Sequence, residues 1–186
     1  MQQRSSLSRA QWHGRSRRLH WVTVLLVMTG WLLGTFGDDL PEGPTRAAGL
    51  FVHISAGLAV VAIVALRLLW RIGNPPPTPE RTPLGDWADR AARFGHYALY
   101  ALLIAVPITG IFVQFARGDA LPIFGVFDIA SPWSGDRAFA RSVKEFHELL
   151  ANALVILAAL HTAAALVHHW LFRDRTLLRM LPRSSR

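Results

Sequence analysis

The sequence predicts an all-α fold, an integral membrane four-helix bundle with both chain termini on the cytoplasmic side. Three observations predict it. Of the 186 residues, 52% are hydrophobic, and they gather in four blocks at about residues 19–36, 50–70, 94–116 and 146–172. Each block reaches roughly the 18–20 residues that cross a ~30 Å hydrocarbon core as a helix. The blocks are apolar nearly all round, whereas helices of a soluble bundle alternate polar and apolar faces. The basic residues, finally, are segregated. Fifteen of the 20 Lys and Arg lie in residues 1–18, around residues 67–93 and after residue 172; only Arg46, Arg117, Arg137, Arg141 and Lys144 lie in the other two connections. That is the positive-inside pattern, and it places the termini and the second connection in the cytoplasm.

The same distribution accounts for the net charge of +8 as a topology signal, so no nucleic-acid partner is expected. The Arg-rich start runs into a full-length span without a small-residue cleavage site, and no signal peptide is expected. With no cysteine in the chain, disulfides, iron–sulfur ligation, thiolate-bound zinc and covalent c-type haem attachment are excluded. The expected surroundings are membrane lipid.

Along the chain, residues 37–48 read as a short outer turn rich in Gly, Pro and Asp. The proline run within residues 74–85 cannot be helical and reads as an extended cytoplasmic link. Pro107 and Gly110 interrupt the third span, which membrane helices tolerate. Residues 117–141 form the longest loop, expected over the outer mouth of the bundle. No repeat at a fixed period and no separate soluble domain is evident, so residues 1–186 read as a single membrane domain.

Imidazole is a poor lipid-facing group, and the spans carry several. His147 and His161 are fourteen residues apart on the fourth span, hence about 40° apart around the helix and about 21 Å apart along it. His53 opens the second span at its outer end and His20 opens the first at its inner end. His53 can therefore face His147 in an outer layer, and His20 can face His161 in an inner one. Two imidazole pairs drawn from different helices suit two haems with two axial histidines each. Without cysteine both must be held non-covalently, as haem b. The competing reading of any single membrane histidine is a hydrogen bond to a neighbouring helix.

Other residues fit this scheme with an alternative beside each. Arg67 is fourteen residues after His53 and returns to its face near the inner end, either as a propionate partner or as a snorkelling interface residue. Gly34 is fourteen residues after His20, and with Gly30 forms a G-x-x-x-G that serves haem clearance or helix packing. Gly57, a turn from His53, would let a porphyrin approach the helix. His96 starts the third span and is placed to touch a propionate or a quinone. The adjacent His168 and His169 read as interface residues, and His13 as part of the solvated tail.

These residues carry a resemblance. LHW (19–21), VH (52–53), RLL (67–69), GHYALY (95–100), FHELLAN (146–152), LHTAAALVHH (160–169) and TLLRMLP (176–182) resemble the bacterial cytochrome b561 family of di-haem, four-span membrane proteins, nearest to its superoxide oxidase branch. The resemblance implies axial ligation by His20 with His161 and by His53 with His147. It implies electron transfer from superoxide to ubiquinone. The alternative it leaves is an electron-conduit subunit that links a redox partner protein, such as a dehydrogenase or hydrogenase, to the quinone pool. Lys144, three residues before His147, and Arg141, one turn further out, are placed to steer an anionic donor or only to mark the membrane boundary. Ser55, Asn152, His96 and Gln114 are candidates for a quinone site, and the sequence does not choose among them.

Overall fold

The computed structural model describes residues 14–74 and 84–181. The basic tail with His13, most of the proline-rich link and the last five residues lie outside the described residues. Four long helices dominate: α1 (Gly14–Phe36), α2 (Pro44–Gly73), α3 (Asp86–Ala116) and α4 (Arg137–Trp170). All four are long and apolar enough to cross a membrane. Large apolar side chains such as Leu25, Leu69, Ile72, Leu149, Ile156 and Leu160 face outward on them, as lipid-facing helices require. The chain is thus an all-α membrane bundle.

The helices extend beyond the apolar blocks, because their polar ends obey capping rules that hydropathy does not register. α2 starts at Pro44, whose missing N–H costs nothing at the first helical position. α3 opens with Asp86 and Asp89 in its first turn, where carboxylates meet the positive end of the helix dipole. α4 begins nine residues before the fourth apolar block. There the Asp136 side chain accepts from the N–H groups of Ala138 and Phe139 at 2.9 and 3.1 Å. Asp136→Ala should therefore cost about 1 kcal/mol of stability, read as a lowered thermal midpoint of the detergent-solubilised protein against an unchanged Asp136→Asn control.

The long loop after α3 is not irregular. Leu121–Ile123 (β1) and Phe127–Ile129 (β2) pair antiparallel, Leu121 opposite Ile129. Their turn has positive φ at Phe124 and Gly125 (53° and 73°) and closes with Val126 N–H donating to the Ile123 carbonyl at 3.0 Å. This mirror-image turn matches the twist of a hairpin. The Gly125 backbone comes so close to the Phe51 ring of α2 that a Cβ there would lie 3.3 Å from it. The hairpin is pinned in this way over one end of the bundle, called here the hairpin end. Gly14 and Leu181, the first and last described residues, lie at the other, called here the terminal end.

Successive helices pack in order, α1 on α2, α2 on α3 and α3 on α4. Between α1 and α4 the Trp31 indole N–H donates to Asn152 Oδ1 at 3.1 Å. At the terminal end, the segment after α4 reaches back to α1. Arg17 donates to the Leu181 carbonyl and the Trp21 indole to the Met180 carbonyl, both at 2.9 Å.

The interior is layered with a step of seven residues, about two turns or ~10.5 Å. Val60, Leu103 and Leu154 are buried in one cluster, with Val27 packed against it. Seven residues from each of these toward the hairpin end stand His53, Gly110, His147 and Gly34. Seven toward the terminal end stand Arg67, His96, His161 and His20. An apolar layer thus separates two polar ones.

Candidate functional site: two histidine layers in the bundle

In the hairpin layer the His53 and His147 rings face one another across the bundle with centroids 6.1 Å apart and planes at 80°. Each is oriented by a neighbouring helix. His53 Nδ1–H donates to the Gly30 carbonyl of α1 at 2.7 Å. His147 Nδ1–H donates to the Val106 carbonyl of α3 at 3.0 Å, with the Thr109 hydroxyl at 3.1 Å. A carbonyl can only accept, so the proton of each neutral ring is on Nδ1. The lone pair is then on Nε2, the arrangement in which histidine binds metal.

Both rings lie against glycine. A Cβ on Gly34 would stand 2.9 Å from His53 Cε1, and one on Gly110 would stand 3.2 Å from His147 Cε1. A Cβ on Gly30 would meet nothing within 4 Å. Gly34, and not Gly30, therefore makes room for an imidazole of α2. Gly57 faces Pro107 at ordinary contact distance, 3.9 Å.

The rings open on a cavity of about 830 Å³ that Gly34, Gly57, Gly110, Trp31 and Ile111 also line. This is the size of a typical cofactor site, roughly 300–1,000 Å³. Among the described residues no group of three or more His, Asp or Glu is placed to hold a metal ion by itself. His53 and His147 are the donors that would hold a haem group in this cavity.

The terminal layer holds three imidazoles. The His96 and His161 rings meet edge to face with centroids 5.2 Å apart, and His96 Nδ1–H donates to the Ala92 carbonyl at 2.7 Å. His20, edge-on to Trp21, lies within electrostatic reach of Arg67, His161 and His96. Arg67 points inward: its guanidinium is over the Tyr100 ring at 5.5 Å and donates to Thr23 Oγ1 at 3.4 Å. It does not snorkel to the surface. His20 and His161 both stand in this layer, and His96 joins them as a third imidazole.

At the mouth of the hairpin end, Arg117, Arg137, Arg141 and Lys144 line a second crevice of about 470 Å³. Lys144 is shared between Asp38 at 3.6 Å and Glu148 at 3.4 Å. Arg117, Arg137 and Arg141 form no ion pair with the described residues. Asp136 also borders the crevice, but its carboxylate caps α4. Of the quinone candidates, Asn152 is bonded to Trp31, Gln114 donates to the Ala120 carbonyl, and the Ser55 hydroxyl is buried without a partner.

The sequence model of the family described as prokaryotic cytochrome b561 matches residues 11–183. The chain belongs to the prokaryotic cytochrome b561 family. It is 33% identical over 169 residues to the probable superoxide oxidase CybB of Yersinia pestis, covering 89% of this chain and 92% of that protein. It is 34% identical to cytochrome b561 homolog 2 of Escherichia coli strain K12, over 91% and 90% of the two chains. Cytochrome b562 of Cereibacter sphaeroides is 29% identical, over 88% and 90%. As a cytochrome b561 the protein is a multi-pass bacterial membrane protein of electron transport that carries haem b, and the hairpin layer has the donors and the space for that group.

Proposed function

We propose that this cytochrome b561 is a superoxide:ubiquinone oxidoreductase of the bacterial inner membrane, with its termini in the cytoplasm and two haem b groups in series. The reaction balances as two superoxide and one ubiquinone with two protons giving two dioxygen and one ubiquinol. The observation that carries the reading is the cationic crevice stacked directly outside the His53–His147 layer. The name of the Yersinia pestis relative supports it, and the segregation of basic residues sets the hairpin end toward the periplasm.

Haem b with both axial positions filled supplies one-electron relay without an open site at which oxygen is activated. The chain's residues do the rest. His53 and His147 are assigned to the outer group, and His20 and His161 to the inner one. Arg67, half-buried beside Tyr100 and Thr23, would hold a propionate of the inner group through a charge-assisted pair. Val60, Leu103 and Leu154 keep water out of the space between the layers. Outside, Arg141, Arg117 and Arg137 present positive charge to an arriving anion, and Lys144 adds to it while bridging Asp38 and Glu148.

The reading is tested by stopped-flow mixing of the oxidised, purified protein with superoxide, followed by ubiquinone. Reduction of the haem α-band followed by reoxidation is expected. Haem that dithionite reduces and superoxide does not would make the protein the conduit of a partner dehydrogenase or hydrogenase. The steering residues are tested in the same experiment. Arg141→Glu should slow superoxide-driven reduction roughly tenfold at low salt, with the difference shrinking as ionic strength rises. Lys144→Glu should slow it less, because that charge is already partly compensated. Dithionite reduction should be unchanged in both, and an unchanged superoxide rate in Arg141→Glu would remove the crevice from the mechanism.

A further inference from the structure

Quinol formation consumes two protons, and neither histidine layer offers an obvious carrier: its imidazoles are either assigned to iron or, like His96, packed against one that is. The seven-residue step that runs His147, Leu154, His161 along α4 has one more member, His168. It is on the face of His161, about 10.5 Å nearer the terminal end, and only 21% of its side chain is exposed.

His168 is built into a carboxylate–imidazole pair. Its Nδ1–H donates to Asp174 Oδ2. Asp174 in turn is fixed by the Thr176 N–H, which donates to Oδ1 at 2.8 Å, and by its own N–H, which donates to the His168 carbonyl at 3.1 Å. Arg173, at φ 54°, makes the left-handed reversal that folds Asp174 back onto the helix end. The Phe172 ring closes the edge of the imidazole at 5.2 Å. Burial by itself would raise the Asp174 carboxyl, but the hydrogen bonds from His168 and Thr176 outweigh it and hold it below the usual carboxylate range. The pair therefore presents a fixed ring with an ionised carboxylate behind it and Nε2 free in front. Beside it the Nδ1 of His169 is buried with no partner, so a further polar position is open at this level.

We propose that His168, oriented and electrostatically supported by Asp174, is the proton donor to a quinone reduced at the terminal end of the bundle. The inference rests on the quinone-reducing half of the function proposed above and not on the identity of the electron donor. As each of the two electrons reaches the quinone, the doubly protonated His168 ring gives its Nε2 proton to a quinone oxygen and regains one from the adjacent aqueous phase. Two such transfers complete the quinol. Asp174 keeps its negative charge throughout and stabilises the cationic ring between transfers. Its place is that of a group that orients a general acid and is not itself protonated.

The test uses full-length, haem-loaded protein, reduced with dithionite and mixed with a short-chain ubiquinone while the α-band is followed. His168→Gln keeps hydrogen-bonding capacity and cannot carry a proton. It should retain the wild-type haem content and spectrum, and reoxidise about 10²-fold more slowly. The slowed step should acquire a solvent deuterium isotope effect and be accelerated by added imidazole. Asp174→Asn should show a smaller loss in the same direction. Reoxidation of His168→Gln at the wild-type rate would overturn the proposal. So would a loss with neither isotope effect nor imidazole rescue, which would mark the pair as a structural clasp. If the reduced wild-type protein itself ignores ubiquinone, it is the quinone-reducing function that fails, and the proton-donor assignment with it.

Discussion

His161→Ala should reduce the haem content of the purified protein from the two groups per chain proposed above to one. The α-band of the outer group should be largely unchanged. The layers are separated by ~21 Å along α4 and by the buried Val60, Leu103 and Leu154 cluster, so loss of an inner donor leaves the hydrogen bonds of His53 to Gly30 and of His147 to Val106 intact. The measurement is haem per polypeptide together with the reduced-minus-oxidised spectrum. Retention of two haems would refute the assignment of His161.

The same measurement assigns the second inner donor among the imidazoles that share the layer. His20 is the expected partner, so His20→Ala should behave like His161→Ala. His96, although its ring meets His161 at 5.2 Å, should be replaceable by Ala with both haems retained. The reverse outcome would exchange the two roles and move the inner group from the α1 side of α4 to the α3 side.

The distinction between these histidines shows what the sequence could and could not convey. The four spans were legible because hydropathy over 20 residues is a local property. The fourteen-residue spacing from His147 to His161, and from His53 to Arg67, was legible because a helix fixes geometry along itself. The helix starts at Pro44 and Arg137 lay outside the apolar blocks, where capping chemistry decides and hydropathy is silent. The three-residue strands of the hairpin were too short to show a period, although Phe124–Gly125 between Ile123 and Phe127 was a usable turn signal. His96 and Gly110 were missed as members of the two layers for a different reason. Their depth depends on the register of α3 against α2 and α4, which no single helix encodes. A seven-residue ruler laid from His96 through Leu103 to Gly110 reproduces the spacing His147–Leu154–His161 on the antiparallel neighbour, and that match was available. The His168–Asp174 pair was not legible, because the reversal at Arg173 that brings the two together leaves no mark in composition.

Gly34→Val should empty the outer site. The first added carbon would lie 2.9 Å from His53 Cε1 and 3.3 Å from Nδ1, closer than real Cβ contacts come. The ring cannot swing away freely, because its Nδ1–H is tied across to the α1 carbonyl of Gly30, one turn before Gly34. Displacing it breaks that bond and turns Nε2 off the axis shared with His147. Haem content should fall toward one per chain, with the inner α-band spared: the converse of His161→Ala. Gly110→Val meets His147 at 3.2 Å and should act on the same site more mildly. Gly30→Ala separates this cause from helix packing, since nothing lies within 4 Å of its added carbon and the thermal midpoint should not move. If Gly30→Ala destabilised the protein as much as Gly34→Val, the two glycines would be serving the approach of α1 to another helix, and the imidazole clearance at Gly34 would be incidental.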